Sequence, residues 1–182
     1  MSAVANPLDL RGVHVPLITP FAADGGVALD AVESLAHHYL EQGATGIVAL
    51  GTTGEAAALD ADEQRAVIEV CSRVCAERGA PLMVGVGTNN TRTTIAKAES
   101  LRGNAAVTSV LVVTPYYVRP SEAGIVAHIR AVADASPVPV VLYNIPYRTG
   151  RGLGAASILE LAAHPNVAGI KQSVGGIDGD TA

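Results

Sequence analysis

The stretch VVLYNIPYRTG, residues 140–150, decides the fold. Its first half is apolar at every position, whichever way a side chain points. Its second half turns abruptly polar, with Tyr143, Asn144, Arg148 and Thr149 after the run. A strand without a polar face belongs in a parallel sheet covered by helices. SVLVV, residues 109–113, has the same character and is followed by TPYY, residues 114–117. Working outward from these two runs, strands are expected near 13–18, 45–50, 81–87, 108–113, 138–143 and 167–171. Amphipathic stretches between them predict helices near 29–42, 61–78, 92–102, 122–135 and 155–163. The second helix carries its own punctuation. Asp60 and Glu63 form a capping box at its start, and Arg78 followed by Gly79 marks its end. Ser121 can cap the fourth helix.

Successive strands lie about thirty residues apart, the size of a βαβ unit. Two architectures accommodate such a series, a doubly wound open sheet and a (β/α)8 barrel. The polar segments favour the barrel. GTTGE (51–55), TPYY (114–117), YNIPYRTG (143–150) and KQS (171–173) all follow the C-terminal ends of strands. A TIM barrel gathers those ends onto one face, where its active site lies. A complete barrel runs to about 250 residues, whereas 182 residues supply six strands. The expectation is a single barrel domain over 1–182, truncated after about six βα units with its C-terminal part missing. Residues 1–182 alone are then expected to be aggregation-prone or only partly folded, and essentially inactive, because the first and sixth strands would keep unpaired edges and apolar faces beside the gap would be exposed.

Composition narrows the functional class. Hydrophobic residues make up 49% of the chain and aromatics only 3%, so the core is built from Ala, Val, Leu and Ile. A formal charge of −5 with no Lys/Arg cluster argues against nucleic acid as partner. Apolar runs such as 108–113 and 137–143 are too short to span a membrane. The opening MSAVANPLDL lacks the basic and apolar regions of a signal peptide. Cys71 and Cys75, one helical turn apart, read as reduced thiols of a cytoplasmic protein. The five histidines show no metal-ligand spacing.

A few residues could carry chemistry. The chain has only two lysines. Lys97 falls within a helix and is expected to be solvated. Lys171 ends the apolar run NVAGI, at a strand tip facing the barrel mouth. Burial there would lower its pKa toward the neutral, nucleophilic amine that Schiff-base chemistry needs; the alternative is a side chain that snorkels into water. GTTGE offers Gly51 and Gly54 for a tight turn with exposed N–H groups, a nest for a carboxylate, and Thr52 and Thr53 add hydroxyls. The same turn could equally be structural. It is no phosphate loop, since no Gly-Lys-Ser/Thr follows. Tyr116, Tyr117 and Tyr143 can relay protons or pack with their hydroxyls satisfied. Arg148 can take a carboxylate bidentately or brace its loop. GVGTNN, residues 85–90, imitates a dinucleotide fingerprint but lacks the third glycine and lies outside the first βα unit.

Together, ITPF (18–21), GTTGE (51–55), VTPYYVRP (113–120), LYNIPYRTG (142–150) and GIK (169–171) resemble the dihydrodipicolinate synthase and N-acetylneuraminate lyase family, in its order and near its spacing. The resemblance implies a (β/α)8 barrel, usually a homotetramer, that condenses or cleaves pyruvate-type substrates without metal or organic cofactor. It implies that Lys171 is the Schiff-base lysine and Tyr143 the proton shuttle. Thr52 and Tyr117 would be the relay partners, Tyr117 crossing a dimer interface. Thr53, beside Gly51, would hold the pyruvate carboxylate. Arg148 resembles the synthase branch, where it grips aspartate semialdehyde on the way to hydroxytetrahydrodipicolinate, diaminopimelate and lysine. Two positions depart from the pattern: Gln172-Ser173 stands where an acidic residue is common, and Tyr147 where a small one is. Lysine-inhibited relatives line an interface pocket with two histidines and a glutamate. This chain has Ala61, Gln64 and Thr93 there, although Asn89 and Tyr116 are kept, so lysine inhibition is expected to be weak. The competing readings are a keto-sugar-acid lyase of the same family, a non-catalytic fragment and, more distantly, a dinucleotide-dependent oxidoreductase.

Overall fold

The computed structural model describes residues 8–176; most of the opening segment in which no signal peptide was read lies outside them. Six strands appear: β1 (His14–Pro16), β2 (Gly46–Ala49), β3 (Leu82–Gly85), β4 (Val107–Val113), β5 (Val140–Asn144) and β6 (Val167–Gln172). The intervening helices are α1 (Leu29–Glu41), α2 (Ala61–Arg78), α3 (Thr91–Glu99), α4 (Glu122–Ala135), a single turn α5 (Pro146–Thr149) and α6 (Ala155–Ala162). Every strand pairs in parallel with its predecessor, so the sheet order is β1-β2-β3-β4-β5-β6. That order separates the two architectures left open by the sequence. A doubly wound sheet reverses direction at a switch point, and this one does not. It forms six consecutive staves of a (β/α)8 barrel.

Strand alternation divides the core into two layers. Ile47, Leu82, Val84, Val110, Val112, Val140 and Leu142 face outward against Val32, Val67, Val74, Ile125, Ile129 and Leu161 of the helices. Val48, Met83, Leu111, Val141 and Tyr143 face inward and meet Ile145, with Leu8 and Leu10 packed against them. The free thiols of Cys71 and Cys75 lie in the outer layer, where burial pushes their pKa up to about 12 and about 11.

The capping box of α2 is present: Asp60 accepts from Asp62 and Glu63 backbone N–H groups, and Glu63 accepts from the Asp60 N–H. Gly79 closes the helix in the left-handed conformation, φ 63°. Ser121 Oγ accepts from Gly124 N–H at the start of α4. The sheet's two outer strands look different from the inner four. On β6, Ile170 is 38% exposed, and Leu159 on the neighbouring α6 is 70% exposed. The apolar surface expected beside an unpaired strand is therefore present there.

Candidate active site

The polar strand ends converge as the topology requires. A cavity of about 420 Å³ opens above the C-terminal ends of the strands, walled by Gly51, Thr52, Tyr143 and Arg148 together with the apolar Leu111, Val113 and Ile145. Tyr143 reaches it from the inner face of β5. Its partner in register on β6 is Lys171, so both side chains leave the sheet on the same side. Lys171 is not itself part of the wall. It approaches through Tyr143, with Nζ 4.3 Å from the centroid of the phenol ring. The side chain keeps more than a third of its surface accessible. Even so, partial burial of the ammonium lowers its pKa from the usual lysine range, and the nearby Tyr147 phenol opposes that shift. An amine pushed toward neutrality beside a phenol can add to a carbonyl and exchange the protons that the addition requires.

The turn after β2 supplies the opposite wall. The chain leaves β2 through Leu50, at φ 54°, and winds into a 3-10 turn over Thr52–Gly54 and a second over Ala56–Ala58, with Glu55 between them at φ 50°. Gly85 has no side chain because a Cβ there would run into the Leu50 carbonyl. Thr19 Oγ1 donates 2.7 Å to the Gly54 carbonyl and ties the turn to the segment after β1.

Not every expected residue reaches the cavity. Thr53 is exposed and is absent from its wall. Tyr117, expected to reach into a neighbouring subunit's site, is 88% exposed at φ 70° and lies off this cavity's wall, which Tyr116 lines. Arg148 is held by its neighbour: Nε donates 3.3 Å to Tyr147 Oη, and the guanidinium carbon lies 5.3 Å from that ring's centroid. Gln172 proves remote from the cavity. It pairs in register with Asn144 on the helix-facing side, and Asn144 Nδ2 donates to Gln172 Oε1 at 2.8 Å. The departure at Gln172 thus leaves the inner face unchanged.

Lys97 requires a correction. It is half-buried rather than solvated, and its Nζ donates 2.8 Å to Gln64 Oε1. Burial lowers its pKa. The helical pattern could not reveal this, because the partner lies on the neighbouring helix. Sequence reading gave no role to Glu55 of GTTGE and passed over Ala56, Ala57 and Ala58, all of which line the cavity. A strand-to-helix turn without periodicity gives no signal for them.

Known proteins fit this geometry. The chain is 45% identical over 171 residues to 4-hydroxy-tetrahydrodipicolinate synthase of Stenotrophomonas maltophilia (strain R551-3), a match covering 92% of this chain and 56% of the relative. Dihydrodipicolinate synthase from Acinetobacter baumannii, solved in complex with pyruvate, superimposes with a TM-score of 0.88 at 38% identity, covering 93% of this chain and 57% of that one. The enzyme from Cyanidioschyzon merolae, solved with lysine bound, gives a TM-score of 0.86 at 36% identity over 91% of this chain and 57% of its own. The chain therefore spans little more than half the length of these relatives. Residues 9–181 match the Dihydrodipicolinate synthetase family. Six barrel staves in sequential order, a lysine and a tyrosine in register on the inner face, and this match across nearly the whole sequence lead to one conclusion: the chain belongs to the dihydrodipicolinate synthetase family.

Proposed function

We propose that this chain carries the Schiff-base half of a lyase that condenses pyruvate with aspartate semialdehyde to hydroxytetrahydrodipicolinate. The observation that carries the reading is the register pair of Tyr143, on the cavity wall, and Lys171, whose Nζ lies 4.3 Å from the Tyr143 ring centroid. The neutral amine of Lys171 adds to the pyruvate carbonyl, and loss of water leaves an imine. Tyr143 moves the protons of those steps. Thr52 relays them within the chain, and Tyr117 relays them from a neighbouring subunit. A phenol that extends out of its own fold suits such a crossing between subunits, which the proposed homotetramer would supply. The turn at Gly51, Thr52 and Thr53 receives the pyruvate carboxylate through its N–H groups. The deprotonated imine is an enamine whose terminal carbon attacks the aldehyde, and Arg148 holds the carboxylate of that second substrate. Buried free thiols support a cytoplasmic setting, and among the described residues no helix is long and apolar enough to cross a membrane. Steady-state turnover of the full-length protein with aspartate semialdehyde, beside a panel of keto-sugar acids, tests the proposal. Preference for a sugar acid would overturn the substrate assignment.

Arg148→Ala is expected to raise KM for aspartate semialdehyde by about tenfold to a hundredfold, the loss of one charge-assisted contact, with KM for pyruvate nearly unchanged. Equal effects on both substrates would refute the role. Lysine is expected to inhibit weakly, if at all. The groove between α2 and α3, about 530 Å³, is lined by Ala61, Gln64 and Thr93, and by the cations Arg65 and Lys97 against one exposed carboxylate, Glu69. Arg65 is already paired with Asp62 at 2.8 Å and Lys97 with Gln64, so what the groove lacks is a buried carboxylate to pair with an ammonium ligand. Inhibition by sub-millimolar lysine in a standard turnover assay would contradict this.

A further inference from the structure

The segment Leu50–Leu59 is backbone under tension. Leu50 and Glu55 both adopt left-handed φ values, 54° and 50°, which residues bearing a side chain seldom hold unless their surroundings impose them. The turn's own hydrogen bonds are short-range: Gly54 N–H to the Gly51 carbonyl at 3.0 Å, Glu55 N–H to Thr52 at 3.2 Å, and Ala58 N–H to Glu55 at 2.8 Å. Bonds of this kind close a turn without fixing where it points. Two side chains outside the cavity wall supply the tether. Thr19, buried on the segment after β1, donates to the Gly54 carbonyl at 2.7 Å. From α2, Gln64 Nε2 donates to the carbonyls of Ala56 at 2.8 Å and Leu59 at 3.0 Å.

The amide of Gln64 has a defined orientation. Lys97 Nζ donates to its oxygen at 2.8 Å, and an ammonium has no acceptor capacity. Rotating the amide by half a turn would set its NH2 against the ammonium and its oxygen against two carbonyls. Lys97 thereby locks Gln64, and Gln64 locks the second 3-10 turn. We infer that Thr19 and Gln64, the latter oriented by Lys97, are positioning residues that hold the strained 50–59 segment in the shape that receives the pyruvate carboxylate. The inference rests on the proposed function for the identity of the ligand, but the mechanical claim about the segment does not.

Two measurements on the full-length protein separate these levels. The first is amide hydrogen exchange. In Thr19→Val and Gln64→Leu, the amides of Gly54, Glu55 and Ala58 are expected to exchange about tenfold faster, the loss of one or two neutral hydrogen bonds, while α4 amides stay protected. Unchanged exchange in this segment would overturn the inference, whatever the protein's substrate. The second is a kinetic split: pyruvate KM rises about tenfold, with kcat at saturating pyruvate within about twofold of the parent. Thr19→Ser, which keeps the hydroxyl, restores the parent KM. Gln64→Glu, which keeps the acceptor for Lys97 but loses both donors, behaves as Gln64→Leu does and stands in for it should that variant fail to fold. A fall in melting temperature with an unchanged pyruvate KM assigns the two residues to stability alone and also overturns the inference. Failure of the parent protein to form an adduct with pyruvate would refute the proposed function and leave the exchange result to decide the clamp.

Discussion

Lys171→Ala is expected to lower turnover by about a thousandfold or more, equivalent to ~4 kcal/mol of barrier, because no other group can form the covalent intermediate. Among the described residues the only other lysine, Lys97, is bonded to Gln64 in a groove behind the turn. Incubation of the parent protein with pyruvate and borohydride should reduce the imine to a stable amine. Peptide mapping should find the added mass on Lys171, and an adduct on Lys97, or none, would refute the mechanism. The rate of capture should rise with pH as the amine loses its proton. It should level off below the ordinary lysine pKa of about 10.4, since burial lowers the value in the fold. Stability runs in the same direction. A lysine whose folded pKa lies below its unfolded one binds more protons when unfolded, so its contribution to stability rises with pH through the window between the two values. The substitution should consequently leave the melting temperature at neutral pH unchanged or slightly higher.

Tyr143→Phe is expected to reduce kcat by about 10²–10⁴, the usual contribution of a positioned general acid–base group. The phenyl ring keeps its place among Val141, Leu111 and Ile145, so the fold should be retained. Pyruvate should still be trapped on Lys171, only more slowly, because the proton transfers of imine formation would fall to solvent. A control comes from the phenol beside Arg148. Tyr147→Phe removes the hydroxyl that accepts from Arg148 Nε but leaves the Tyr143 hydroxyl in place, and it should change kcat little. Equal losses in the two variants would mean that the phenols act on binding and not on proton transfer.

How much of this was legible in the sequence depended on the range of the interaction. The ends of α2 are local events, fixed by Asp60, Glu63 and Gly79, and the expected span of 61–78 agrees with the structure. The strand cores at 109–113 and 140–142 were equally plain, because burial on both faces leaves no polar alternation. Sheet order was not legible. Hydrophobic pattern reports how many layers cover a strand but not which strand lies beside it. Beside the family resemblance, the convergence of GTTGE, TPYY, YNIPYRTG and KQS at strand ends was the pointer to a closed arrangement, and register later supplied the reason. Lys97 was misread because its partner Gln64 is 33 residues away, on another helix. The turn at Thr52–Gly54 was legible from its glycines, whereas the one at Ala56–Ala58 was not, because a three-residue turn of alanines has no period to detect. Adjacent tyrosines carry no pattern of their own, so only the family resemblance distinguished the outward Tyr117 from Tyr116, which lines the cavity.

The sequential strand order also bears on how the chain can fold. Every strand finds its partner one βα unit earlier, roughly thirty residues back. Among the described strands no pairing waits on a distant stretch of sequence, so each of these closures costs a similar and modest loop entropy. Such a topology permits vectorial growth, each new unit docking on the one before it as the polypeptide emerges. β6 comes last among the described strands. The platform of turn, phenol and guanidinium can thus be in place before the nucleophilic amine arrives to complete it.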